Sequence, residues 1–204
     1  MEEKVVISSI SEYYNSLVEK YGYDSKSCDY GNSNSQFVKF QVLSEALNYS
    51  NKRVLDIGCG FADFYNFLSL KYDNFNYFGV DISSKMIDTA KIRHPKLELE
   101  LRNVFENPYD EKFDIVTSNG IFYLLGNDSK KLMQNFISKM FDMSNEIVAF
   151  NSLSTWAEDK MEGEFYADPI ETLAFCKTLT KWVTLRHDYH HRDFTIYMYK
   201  NRNI

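Results

Sequence analysis

Glycine and proline are both scarce, at eight and three residues in a chain of 204. The shortage excludes a collagen-like chain, a low-complexity chain and a Gly/Ser linker protein. It also disfavours an array of tight hairpins, because primed turns consume glycine. The three cysteines, Cys28, Cys59 and Cys176, are odd in number and far apart. They make neither a disulfide framework nor a CxxC-type zinc site, and so imply a reducing compartment. No apolar run approaches the roughly 18 residues of a membrane span. The opening Met-Glu-Glu-Lys-Val-Val-Ile lacks the basic and apolar regions of a signal peptide. A cytoplasmic protein without a membrane partner is expected. The net charge of −6 argues against nucleic acid as a partner. The balance is uneven, however: residues 177–204 carry six Lys/Arg and two Asp/Glu, whereas residues 1–176 carry 17 and 27.

What is present is ordinary for a globular domain, with 44% hydrophobic and 25% charged residues. The length suits one domain over 1–204, with a helical cap over 1–50 and a core over 51–204. Aromatic residues reach 16%. They either line a pocket or reflect a bias spread over the whole chain. Apolar spacing predicts helices over 8–21, capped by Ser8 or Ser9, and over 35–48. Strands and helices then alternate. Strands are predicted over 52–57, 76–82, 97–103, 113–118 and 146–151. Helices are predicted over 61–72, from Ser83 or Ser84 to Arg93, from Asn127 or Asp128 to Met143, and from Pro169 to Leu179. Two β-rich runs, 181–189 and 194–200, close the chain as a hairpin. This alternation implies an α/β fold with a mostly parallel sheet between helical layers. Ligands of such sheets bind at the carboxyl ends of the strands.

Strand one is followed by Asp56-Ile57-Gly58-Cys59-Gly60-Phe61-Ala62-Asp63, and strand two by Asp81, 21 residues beyond Gly60. The glycines permit a tight turn and close approach of a ligand. An acid at that distance is placed to accept hydrogen bonds from ribose hydroxyls. The third glycine of a dinucleotide fingerprint is replaced by Asp63, and the P-loop pattern is absent. A carboxylate-rich turn repels pyrophosphate but attracts a cation. S-adenosylmethionine carries an ammonium and a sulfonium and no phosphate.

At this point the chain resembles the class I S-adenosylmethionine-dependent methyltransferases of small-molecule type, over roughly residues 35–200. Val54 to Gly60 is similar to the family's first motif, Gly79-Val80-Asp81-Ile82-Ser83 to its second, and Asp114 to Gly120 to its fourth-strand motif. The resemblance implies a Rossmann-like three-layer sandwich, with a seven-stranded sheet in the order 3-2-1-4-5-7-6 and strand seven antiparallel. It implies that Asp56, Gly58, Cys59 and Gly60 lie against the amino-acid part of the cofactor. Asp81 would hold the ribose, with Ile82 beside the adenine. Asn103 and Val104 fall where the family often has an acid for the adenine amino group, and the Asn103 oxygen can still accept one hydrogen bond. Ser118 and Asn119 would lie near the methyl group. Lys39, in the helix before strand one, is a candidate for the cofactor carboxylate or a solvated surface lysine. The first motif departs from the family's GxGxG at Ala62.

Methyl transfer needs an acceptor held in line with the methyl group, and a base where the acceptor is a hydroxyl or ammonium. Candidates for touching the acceptor are Phe122 and Tyr123 after strand four, and Trp156 and Tyr166 in the acid-rich stretch 152–168, a lid candidate. The hairpin segment from Arg186 to Asp193 supplies His187 or His190 as a base. It also supplies Arg186 or Arg192 as a clamp for an anionic group. Strand alternation puts His187 and Tyr189 on one face and Arg186 and Asp188 on the other, so that only one pair can face the site. Clustered histidines alone give no chelate geometry, and no metal is expected. Tyr13 and Tyr14 are read as packing, and Tyr21 to Tyr30 as either packing or a lid. The expected activity is methylation of an O or N atom of a small soluble acceptor. A nucleic-acid methyltransferase and a non-catalytic cofactor-binding partner subunit are the alternatives.

Overall fold

The computed structural model describes residues 2–29, 33–126 and 128–201. Tyr30, Gly31, Asn32 and the candidate cap Asn127 lie outside the described residues.

Period-two patterning in the central strands feeds two cores, one on each face of the sheet. β1 (Arg53–Ile57) sends Leu55 and Ile57 to one core and Val54 to the other. β4 (Phe113–Ser118) divides Val116 from Ile115 in the same way. β5 (Ser144–Leu153) divides Val148 and Phe150 from Ile147 and Ala149. In β7 (Asp193–Tyr199), Ile196 and Met198 part from Tyr197. The first core is closed by α5 (Ser129–Met143), through Met133, Phe136, Ile137 and Met140, and by Cys176 of α6 (Pro169–Leu179). The second is closed by α2 (Ser33–Ser44), α3 (Asp63–Ser69) and α4 (Ser84–Arg93), through Phe40, Leu43, Phe64, Leu68, Ile87 and Ala90. Burial of each such aliphatic or aromatic side chain contributes about 1.5–3 kcal/mol. Burial on both faces is what a parallel sheet between helical layers requires.

The sheet has seven strands in the order β3-β2-β1-β4-β5-β7-β6, where β2 is Asn76–Asp81, β3 is Glu98–Leu101 and β6 is Trp182–Arg186. β1 to β5 pair in parallel, and β7 runs antiparallel to both β5 and β6. The order is the expected one. α1 (Glu2–Tyr21) lies at the carboxyl end of β2. There the Ser11 hydroxyl donates to the Ile82 carbonyl at 2.7 Å, and Asn15 Oδ1 accepts from the Ser83 hydroxyl at 2.7 Å and the Lys85 N–H at 3.2 Å. The capping helices are thus tied to the strand ends.

Local chemistry explains the shifted boundaries. α1 begins well before Ser8. α3 begins only at Asp63, because Gly60 and Ala62 have φ of 54° and 62°, outside the helical region. β5 runs to Leu153, so the irregular stretch starts later than residue 152. That stretch is pinned rather than loose: Ala167 N–H donates to Leu153 O at 2.9 Å and Phe165 N–H to Tyr123 O at 2.8 Å.

Candidate functional site

A cavity of about 230 Å³ opens at the carboxyl ends of β1, β2, β3 and β4, and the capping helices close its other side. Its floor is the turn after β1. Gly58 and Gly60 have φ of 74° and 54°, and the Gly58 and Cys59 N–H groups both donate to Val80 O, at 2.8 and 3.0 Å. The turn is therefore bolted to β2. A Cβ on Gly58 would lie 2.5 Å from Ile121 Cγ2. Ala62 completes the turn in the left-handed region with its methyl fully buried, so alanine takes a conformation that glycine would adopt without strain. Gly79 has a different purpose. A Cβ there would meet Leu99 Cδ2 at 2.7 Å and Cys59 Sγ at 2.9 Å, so it makes room for packing and lies outside the cavity lining.

Two carboxylates stand beside the turn. Asp81 accepts from Gly60 N–H at 2.9 Å and Ser83 N–H at 2.8 Å, one bond on each oxygen. Burial raises the Asp81 carboxyl above its ordinary value, opposed by the Ser83, Gly60 and Ile82 N–H groups. Asp56 is buried and accepts from the Tyr77 hydroxyl at 2.5 Å. Burial pushes its carboxyl up to about 7, with the Tyr77 bond lowering it and the Asp81 charge adding to the rise. Burial likewise pushes the Cys59 thiol well above its ordinary value, so Cys59 is an inert filler of the turn. Ile82, Asn103 and Val104 border the cavity beyond Asp81. Asn103 Oδ1 accepts from Phe105 N–H at 3.1 Å, while its buried Nδ2 has no partner within the protein.

The opposite end gathers a second group. His190 Nδ1 lies 2.8 Å from Asp193 Oδ2, and Lys39 Nζ lies 3.0 Å from Asp193 Oδ1. Burial alone would raise the Asp193 carboxyl, but His190 and Lys39 hold it below the usual carboxylate range. The Arg192 backbone N–H is 3.2 Å from the same His190 nitrogen. That N–H requires an acceptor, so His190 Nδ1 receives it, and Nε2, 3.4 Å from Ser35 Oγ, is the nitrogen left to carry the proton of the neutral ring. Nearby, Asp29 Oδ2 accepts from the Tyr13 and Tyr123 hydroxyls at 2.9 and 2.8 Å, and the Tyr14 and Tyr123 hydroxyls are 2.7 Å apart. Asp29, Tyr14 and Tyr123 line the cavity, so the tyrosine-rich start is part of its wall.

The cavity thus brings together Asp56, Gly58, Cys59, Gly60, Asp81, Ile82, Asn103, Val104, Asn119 and Lys39 with Phe122, Tyr123, His190 and Arg192. Phe122 borders it from the core side, fully buried and edge-on to Phe150. Five expected residues are placed elsewhere. Ser118 is buried and its hydroxyl turns toward Met140 Sδ at 3.9 Å. Strand alternation stops with β6 at Arg186, so neither expected pair of side chains reaches the cavity. Arg186 instead binds Asp188 and Glu45 at the sheet edge. His187 Nε2 lies 2.8 Å from Ser154 Oγ, with its ring against Trp156, which is 52% exposed. The Tyr166 hydroxyl binds Arg192 and Glu164, one step behind the lining. Sequence reasoning missed Asp193, Asp29 and Tyr14 as site residues. Asp193 is a polar residue at the first position of β7, which could have marked it.

A glycine turn after the first strand, an acid after the second and this strand order define the Rossmann-like methyltransferase fold. Residues 48–182 match a family model described as a methyltransferase domain, and the chain belongs to that family. It is similar to Rv1506c of Mycobacterium tuberculosis, with 28% identity over 152 residues covering 71% of this chain and 91% of that protein. It is also 26% identical over 153 residues to 235L of Invertebrate iridescent virus 6. Both carry provisional methyltransferase names. The 235L match covers 70% of this chain but only 58% of that protein's length. Among solved structures, magnesium protoporphyrin IX methyltransferase of Synechocystis PCC 6803 with bound SAM aligns at a TM-score of 0.69. That alignment covers 96% of this chain and 97% of that one, at 13% identity.

Proposed function

We propose that the chain transfers a methyl group from S-adenosylmethionine to an O or N atom of a small soluble acceptor. The observation that carries this reading is one cavity with a ribose-type acid and glycine turn at one end and a histidine beside a buried carboxylate at the other. The residues suit the cofactor. Asp81 keeps lone pairs for ribose hydroxyls beyond the two it uses on Gly60 and Ser83. Asp56 places a buried acid beside the turn, where a cationic group would be favoured. The orphan Nδ2 of Asn103 adds a donor for a base edge near Ile82 and Val104. When bound, S-adenosylmethionine supplies an electrophilic methyl group.

The chain's own residues do the rest. His190 is the candidate for the acceptor's proton, with Asp193 2.8 Å away to offset the charge formed. Lys39 is the candidate for the cofactor carboxylate, from its position beside Asp193. The acceptor needs no negative charge, since Arg192 pairs with Glu164 at 2.9 Å and Arg186 lies outside the cavity. A cavity of about 230 Å³ partly covered by α1 and α2 supports a small acceptor over a nucleic acid. The test is incubation of the protein with S-adenosylmethionine and a cell metabolite extract, followed by mass spectrometry. A product heavier by one CH2 unit, together with S-adenosylhomocysteine, is expected. Cofactor binding without turnover would instead support a non-catalytic partner subunit.

A further inference from the structure

Asp56 stands near the end of β1, only 3% exposed, and among the described residues no cation pairs with it. Asp193, the other cavity acid buried as deeply, has Lys39 and His190 beside it. The groups that face Asp56 are neutral or negative. Tyr77 on β2 donates to its Oδ2, and Asp81 at the end of β2 adds a like charge. Cys59 in the turn keeps its thiol proton. The Tyr49 hydroxyl, also nearby, is spent on the Leu43 carbonyl at 3.0 Å. Thr117 is in register with Asp56 on β4, but its hydroxyl has no partner among the described residues. Asp56 Oδ1 therefore has no protein donor. It is not sealed off as the Thr117 hydroxyl is, and Asp56 lines the cavity. A buried carboxylate with one donor and no cation is costly, so the free protein keeps it protonated.

We propose that Asp56 exchanges its proton for the ammonium of the cofactor's amino-acid part. The inference rests on the methyltransferase reading above and deepens it, because it makes cofactor affinity depend on pH through one residue. Hydrogen bonding chooses between the cofactor's two cations. Oδ1 lacks a donor, and an ammonium brings three N–H groups where a sulfonium brings none. In the exchange the Asp56 O–H bond breaks, its electron pair stays on the carboxylate and the proton leaves to the buffer. The ammonium keeps its own protons throughout. Where Asp56 is protonated, the proton competes with the ligand and affinity falls about tenfold per pH unit. Where Asp56 is ionised, affinity is level. Burial brings the boundary up to about 7, so the exchange operates near neutral pH. A nucleoside that lacks the ammonium leaves the proton in place.

The test titrates S-adenosylhomocysteine, and separately methylthioadenosine, into the full chain in two buffers of different ionisation enthalpy at about pH 6. Both ligands carry the adenosine and a thioether. Only the first carries an ammonium, which is already charged at that pH. Release of about one proton is expected with S-adenosylhomocysteine and none with methylthioadenosine. Equal release with both would assign the proton to Asp81 beside the ribose and overturn the proposal. Binding of S-adenosylhomocysteine without release also overturns it, and leaves the methyltransferase reading intact. A folded chain that binds neither ligand overturns that reading, and the proposal with it. Asp56→Asn should bind S-adenosylhomocysteine without releasing a proton. Its affinity should lack the gain of tenfold or more that the wild type shows between about pH 5.5 and about pH 7.5. A variant that keeps the wild-type pH profile overturns the proposal. The two-ligand comparison uses the wild type alone, so it decides the matter even where Asp56→Asn does not fold.

Discussion

Replacing Asp56 with asparagine should change how stability depends on pH, and the size of the effect follows from the burial of that one carboxyl. Asp56 is held at about 7, against an ordinary value of 3.8. Between those values the folded chain keeps a proton that the unfolded chain has released. The stability this group contributes is therefore complete below about pH 4 and is lost as pH rises through about 7. At about 1.4 kcal/mol per unit, the loss totals at most about 4 kcal/mol. Asparagine stays neutral throughout, and the Tyr77 hydroxyl still finds an amide oxygen to donate to. Urea unfolding of both proteins from about pH 5 to about pH 8 measures the difference. The variant should gain on the wild type by about 1.4 kcal/mol per pH unit and level off above about pH 7. Parallel curves would refute the claim that burial keeps a proton on Asp56. A cationic ligand beside Asp56 favours the ionised form, so binding near neutral pH should also release a proton, measured by calorimetry in two buffers of different ionisation enthalpy.

Asp193→Asn removes the charge that would offset a proton taken up by His190, which should lower turnover about a hundredfold while cofactor affinity changes far less; equal losses in both would make Asp193 merely structural. Tyr123→Phe removes the hydroxyl shared by Tyr14 and Asp29. Hydrogen exchange should then quicken in α1 while the sheet keeps its protection, and unchanged exchange in α1 would discount the tyrosine cluster as a latch. Gly58→Ala puts a methyl 2.5 Å from Ile121 Cγ2 at a φ of 74° and should cost more than about 1–2 kcal/mol in urea unfolding. Adding Ile121→Ala should recover only the steric share, and full recovery would show that the left-handed backbone carries no strain.

Much of the framework was legible because it depends on local pattern. The limits of β4 and α6 follow from Phe113-Asp-Ile-Val-Thr-Ser and from Pro169. The turn after β1 and Asp81 were legible because spacing alone places them at adjacent strand ends. What was not legible depends on contacts distant in sequence. Nothing local to Asn151 shows that it orients Asn119, 32 residues away. The pairing of Asp29 with Tyr123 spans 94 residues. The hairpin misled because alternation was extended past Arg186, where the strand in fact ends. His190 reaches the cavity through that bend and His187 does not. Gly79 belongs to the second motif by its place in the sequence, and only the packing of Leu99 and Cys59 against it shows why a side chain is missing there.

The most direct test of the account is calorimetric titration of S-adenosylhomocysteine into the wild type and into Asp81→Ala. The account predicts saturable one-to-one binding to the wild type, weakened tenfold or more in the variant by loss of charged hydrogen bonds worth about 1.5–3 kcal/mol each. A folded wild type that takes up no ligand, or a variant that binds as tightly, would contradict it.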